Sequence, residues 1–150
     1  HHMIDGFPMG WADGCVHIHL IRHPARVISS YAAKREAPTL EDIGFVQQAQ
    51  LFDQLGGLVV DSTDIRADPD GMLRKLCAAI DLEFDPAMLQ WSAGARAEDG
   101  IWAKHWYGAV HKSTGFAGAE GEMPILEPEL QSLMEDALPH YEKLAALRLR

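Results

Sequence analysis

Two short apolar runs constrain this chain more than anything else in it, because each hands over within a few residues to a segment of helical period. In the first, over 16–21, Val16, Ile18 and Leu20 alternate with His17 and His19 before Ile21, which is the period of a strand. Arg22 and His23 follow, and then Pro24, which suits the first turn of a helix because its missing N–H would have had no partner there. Val27, Ile28, Tyr31 and Ala32 fall on one face of that helix. The second run, Leu58 to Val60, is short, apolar and rich in valine, as a buried strand is, and Asp61 stands at its carboxyl end. Strands alternating with helices predict an α/β fold with a parallel sheet. In such sheets the edge where strands end and helices begin is where ligands bind, and Arg22 sits on it.

The other elements follow from the same periods. Thr39 is placed to cap a helix with Asp42 in its first turn, and Ile43, Val46, Ala49, Phe52 and Leu55 recur three apart, predicting one helix that Gly56 and Gly57 end. After a turn at Asp68-Pro69 the spacing of Leu73, Leu76, Cys77 and Ile80 predicts another. Pro86 to Trp91 reads as one short helix, and the glycine-rich stretch from Ser92 to Glu122 as loop, of a length that is often functional. From Pro128, the residues Leu130, Leu133, Met134, Ala137, Tyr141 and Leu144 predict a last amphipathic helix, which Pro139 is expected to kink or divide.

At 150 residues the chain is one domain by length. A chain of that size buries about 68–70% of its unfolded surface without a staple. Its two cysteines, Cys15 and Cys77, are too few for a disulfide framework, which fits a reducing, cytoplasmic setting. A formal charge of −9 excludes the broad basic surface that nucleic-acid binding needs, so any phosphate must be held by a few local cations. No apolar run is long enough for a membrane span, and no signal peptide is legible. His17 and His19 share one strand face, a metal-ligand spacing, but no third ligand stands at a fixed distance, and no metal is expected.

Against this background LIRHPARVISSY resembles the 3′-phosphate-binding motif of sulfotransferases that use 3′-phosphoadenosine 5′-phosphosulfate (PAPS). Arg22, Pro24 and Ser30 match the arginine, proline and serine of that motif. VVDSTDIRADPDGMLRKLCAAIDLEFDP is similar to the strand, acidic turn and Leu-Cys helix of many bacterial members. ARAEDGIWAKHWY resembles the late loop that closes over the nucleotide, with Arg96 and Trp102 as counterparts, although Arg96 is displaced and the usual Arg-Lys-Gly run is absent. The physics agrees with the motif: a guanidinium binds phosphate through a planar fork, a hydroxyl donates to a remaining oxygen, and the helix start adds its dipole.

The resemblance implies a P-loop-like three-layer fold, a parallel sheet flanked by helices, with residues 1–150 as a single, partial sulfotransferase-like domain. It implies transfer of a sulfuryl group from PAPS, as co-substrate, to the hydroxyl of a small-molecule acceptor, without a metal, a nucleic acid or a membrane. The glycine- and lysine-containing loop that binds the 5′-phosphosulfate in the family does not precede Arg22, so the domain is expected to be incomplete at its N-terminus. A longer polypeptide or a homo-oligomer would then cover the open sheet edge, and the chain alone would not transfer the group. His1 and His2 lie at about the distance before the arginine where related enzymes carry a catalytic histidine, whose imidazole would take the acceptor's proton. Trp102, His105, Trp106 and Tyr107 would stack adenine, line the acceptor pocket, or pin a loop. Two alternatives stand beside this reading: a non-catalytic nucleotide-binding or scaffold fragment of the same fold, and a P-loop-like kinase, whose Gly-x-x-x-x-Gly-Lys loop is absent from the sequence.

Overall fold

The computed structural model describes residues 8–33, 37–101 and 103–150. They form strand β1 (Ile18–Ile21), helices α1 (Pro24–Ala32), α2 (Leu40–Ile43) and α3 (Phe45–Leu55), strand β2 (Leu58–Asp61), and helices α4 (Ser62–Ala67), α5 (Pro69–Ala79), α6 (Ala103–Trp106) and α7 (Pro128–Ala145). The result is a mixed α/β fold with a small parallel sheet flanked by helices, as the sequence predicts. β1 and β2 pair in parallel from Ile18 opposite Leu58 to Ile21 opposite Asp61. On the other edge of β2, Leu149 N–H donates to Val59 O at 2.8 Å, so the end of the chain extends the sheet. Gly57 lets β2 begin here: its φ is +114°, and a Cβ would lie 2.5 Å from His17 O.

The residues group into two compact units, 1–63 with 121–150, and 64–120. The first holds both apolar clusters. Ile21, Val59, Leu144 and Ala145 meet in one, with Phe52 and Tyr141 against it; Ala25, Ile28 and Leu126 meet in the other, with Ile43, Leu130, Leu133 and Met134. β2 is covered on both faces. β1 is not: His19 and Ile21 are buried, while Val16, Ile18 and Leu20 are 66%, 41% and 56% exposed. His19 tolerates its place because its Nε2 pairs with Gly56 O at 2.9 Å and its ring lies edge-on to Phe52.

One expectation is corrected and another narrowed. The helix predicted from Thr39 to Leu55 is two, since Gly44 adopts φ +70° and ends α2 before α3 starts; the Thr39–Asp42 capping box does form. Pro139 does not divide the last helix, which runs through it from Pro128 to Ala145. Pro139 and Glu135, whose carbonyl it leaves without a backbone donor, are both exposed, so the lost bond lies on the solvent side of the helix. In α5 the buried residues are Met72 and Cys77, with Leu73, Leu76 and Ile80 only partly covered.

The second unit packs little apolar surface and is pinned by polar contacts. Arg66 donates to Gly118 O at 2.7 and 3.0 Å and to the Glu120 carboxylate at 3.2 Å. Trp91 Nε1–H donates to Ser113 Oγ at 2.9 Å, and its ring meets Phe116 edge-on. One-turn 3-10 helices at Pro86–Leu89, Ala97–Asp99 and Val110–Lys112 punctuate the loop.

Candidate functional site

The parallel register brings two strand ends side by side, Ile21 against Asp61, so that Arg22 and Asp61 begin the edge from which α1 and α4 start. Asp61 is 3% exposed, and its carboxylate is organised rather than merely buried: Oδ2 accepts from Tyr141 O–H at 2.7 Å and Oδ1 from Thr63 N–H at 2.8 Å. His23 caps α1, its Nδ1 accepting from Ala25 N–H at 3.2 Å, and Pro24 occupies the first helical position. That hydrogen bond assigns the neutral tautomer with the proton on Nε2. The imidazole lies edge-on to Tyr141, with centroids 5.3 Å apart. Burial, and then the Arg26 guanidinium, push the His23 imidazole below its ordinary value of 6.5, against the pull of Asp61 and Glu142. The cap therefore stays neutral and intact at neutral pH.

Arg22 is half-buried at the end of β1 and engaged in the protein's own interactions. Ser30 is exposed on α1, and its position seven residues after the cap sets it on the stripe that His23 and Val27 begin. Arg26, on the first turn, donates to Gly121 O and Glu122 O, tying the segment before α7 to the start of α1. The edge thus brings the Arg22 guanidinium to the start of α1, where the N–H groups of Ala25, Arg26 and Val27 donate to His23. Arg96 lies in the second unit, exposed, before the 3-10 turn at Ala97–Asp99. His1, His2 and Trp102 fall outside the described residues, as do the side chains of His105 and Trp106.

Sequence reading placed Asp61 at a strand end without a partner and treated Tyr141 as helix-face packing. Their hydrogen bond joins positions eighty residues apart, which no local period reveals. The His-Pro step did announce a helix start, but only the structure shows the imidazole as its cap.

The sequence model of the sulfotransferase domain family matches residues 1–148. The chain belongs to that family. Two Arabidopsis thaliana proteins, branched-chain-amino-acid aminotransferase-like proteins 1 and 2, are each 32% identical to this sulfotransferase-family chain, over 133 and 134 residues, 85% of it. The chain spans 24% of the length of each. No solved structure matches. Among the described residues no group of three or more His, Cys, Asp or Glu side chains is placed to hold a metal ion, and no helix is long and apolar enough to cross a membrane.

Proposed function

We propose that this chain binds PAPS by its 3′-phosphate and belongs to an enzyme that passes the sulfuryl group to a hydroxyl on a small molecule. The observation that carries the reading is Arg22 at the carboxyl end of β1, directly before a capped helix that presents Ser30. Arg22 supplies a forked donor to the phosphate, Ser30 a hydroxyl, and the dipole of α1 a positive end. The neutral His23 cap fixes where that turn begins, and Asp61, held by Tyr141 and Thr63, keeps the neighbouring strand end in place. Arg96 and Trp102 are proposed to contribute to the nucleotide from the later loop, and His1 or His2 to take the acceptor's proton. PAPS, when bound, supplies the activated sulfuryl group. With two free cysteines, one exposed and one buried, a cytoplasmic setting completes the proposal. The aminotransferase-like name of the Arabidopsis proteins is not carried over, since the chain spans a quarter of their length and matches the sulfotransferase domain over nearly all of its own.

Incubating the chain with radiolabelled PAPS and a panel of hydroxyl compounds tests this. Labelled ester that falls about ten- to a hundredfold at low PAPS in Arg22→Ala supports it. Label retained without ester assigns the nucleotide site to this chain and leaves the transfer to a longer polypeptide or an oligomer, or else the non-catalytic alternative. Neither retention nor ester overturns both.

A further inference from the structure

His23 follows Arg22 directly and precedes Pro24, at the junction on which the proposed nucleotide site depends. In its neutral form it closes the start of α1. Pro24 has no N–H to offer, Ala25 N–H donates to His23 Nδ1 at 3.2 Å, and Arg26 N–H and Val27 N–H donate to His23 O at 3.0 and 3.3 Å. An anion arriving beside Arg22 therefore meets the dipole of the helix but finds these N–H groups taken. The partner fixes the state of the ring: a backbone N–H only donates, so Nδ1 must carry a lone pair. A proton added to Nδ1 removes it. Two N–H donors then face each other across 3.2 Å, and the ring has to turn off the cap.

The groups that face the imidazole come from three elements. Arg26 on α1 opposes a charge on the ring, Asp61 at the end of β2 and Glu142 on α7 favour one, and Tyr141 on α7 meets it edge-on with its hydroxyl already given to Asp61. Without ligand, burial and then Arg26 outweigh the carboxylates and hold the ring below 6.5. A phosphate beside Arg22 reverses the balance: it sets an opposite charge near the ring, offsets Arg26, and gives both Nδ1–H and the released Ala25 N–H an acceptor. We propose that His23 is a proton-operated cap, closed when neutral and open when charged, so that the 3′-phosphate binds together with a proton. This is a regulation of the site proposed above and rests on that reading. Opening the cap forfeits about fivefold, the worth of one N-cap bond. A charge-assisted hydrogen bond to the anion returns about ten- to a hundredfold, so the gain is the larger and affinity rises as pH falls. α1 does not unravel meanwhile, because Ala25 and Ile28 are buried in one cluster with Leu126.

The test is binding and does not need turnover. Nitrogen-15 spectra of the His23 ring, assigned with His23→Asn, are recorded against pH for the chain alone, with adenosine 3′,5′-bisphosphate, and with adenosine 5′-monophosphate. The bisphosphate should raise the His23 titration by about one pH unit, the reciprocal of a tenfold gain in affinity, and shift the Ala25 amide resonance with it. The monophosphate, which lacks the 3′-phosphate, should leave both in place. By calorimetry the affinity of the parent for the bisphosphate should rise relative to that of His23→Asn, by up to about tenfold, as pH falls through the His23 titration. The ligand's own protonation is common to both proteins and cancels. A bisphosphate that binds through Arg22, as Arg22→Ala shows, yet leaves the His23 titration unmoved or lowers it overturns the inference and leaves the nucleotide site standing. A shift of equal size with the monophosphate also overturns it, by assigning the effect to the other phosphate. Absence of any bisphosphate binding overturns the inference and the nucleotide site together.

Discussion

In the unit formed by residues 1–63 and 121–150, apolar side chains from both strands and from α1, α3 and α7 meet in two clusters. In residues 64–120 the buried apolar residues are few, Met72, Cys77 and Ala103 among them, and the loops are held by Arg66 on Gly118 and Glu120, Trp91 on Ser113, and His111 on Asp99. Burial is non-directional and adds up over many residues; a polar pin is directional and local. The first unit is thereby built to hold strand ends in register, and Arg22 inherits its position from that register. The second holds its loops by single bonds, and they are only as well placed as those bonds.

This contrast predicts unequal responses to substitution. Leu144 is 1% exposed in the first cluster, and Leu144→Ala should cost about 2–5 kcal/mol, read from the urea midpoint. A cost below about 1 kcal/mol would break the comparison by showing that the first unit does not depend on its core. Tyr141→Phe leaves Asp61 Oδ2 without its hydroxyl donor and should cost about 1–3 kcal/mol, with nucleotide affinity weakened as the strand end loosens. Unchanged stability would mean that water replaces the hydroxyl. Arg66→Met removes the bonds to Gly118 O and to the Glu120 carboxylate, whose side chain is buried, and should cost about 1–3 kcal/mol, and hydrogen exchange should quicken around Gly118 and Glu120 while β1 and β2 stay protected. Exchange that quickens equally in both strands would erase the distinction between the units.

The smallest effect is a dependence on pH. The folded value of His23 is lowered, so protons bind the unfolded chain more readily. Its contribution to stability is whole above the ordinary value of 6.5 and is lost as pH falls below it through the folded value. His23→Asn keeps an acceptor at the cap and does not titrate, so it should flatten the fall in urea-measured stability over that range relative to the parent. A parallel fall in both proteins would assign the titration elsewhere.

Much of the first unit was legible in the sequence because its order is periodic. The alternation from Val16 to Ile21 gave β1, the valines at 59 and 60 gave β2, and the spacing from Leu130 to Leu144 gave α7. What the alternation did not disclose is which face is covered: His19 points inward and Leu20 outward, because only the His19 side of β1 meets Phe52 and the rest of the core. Gly44 also hid inside a helical period, since a period counts apolar residues and not the φ that ends a helix. Of the candidate sites, Arg22 and Ser30 are expected from the strand-to-helix step and the motif, and the structure puts Arg22 directly after β1 and Ser30 exposed on α1. The Asp99–His111 pair was not legible, because a bond across a loop depends on how the backbone between Gly94 and His111 turns back on itself.

The central claim, that Arg22 and the start of α1 grip a 3′-phosphate, is tested most directly by calorimetry with two nucleotides. Adenosine 3′,5′-bisphosphate should bind more tightly than adenosine 5′-monophosphate, and Arg22→Ala should remove most of the difference, about ten- to a hundredfold for one charge-assisted phosphate contact. Equal binding of the two nucleotides by the unaltered chain would contradict it.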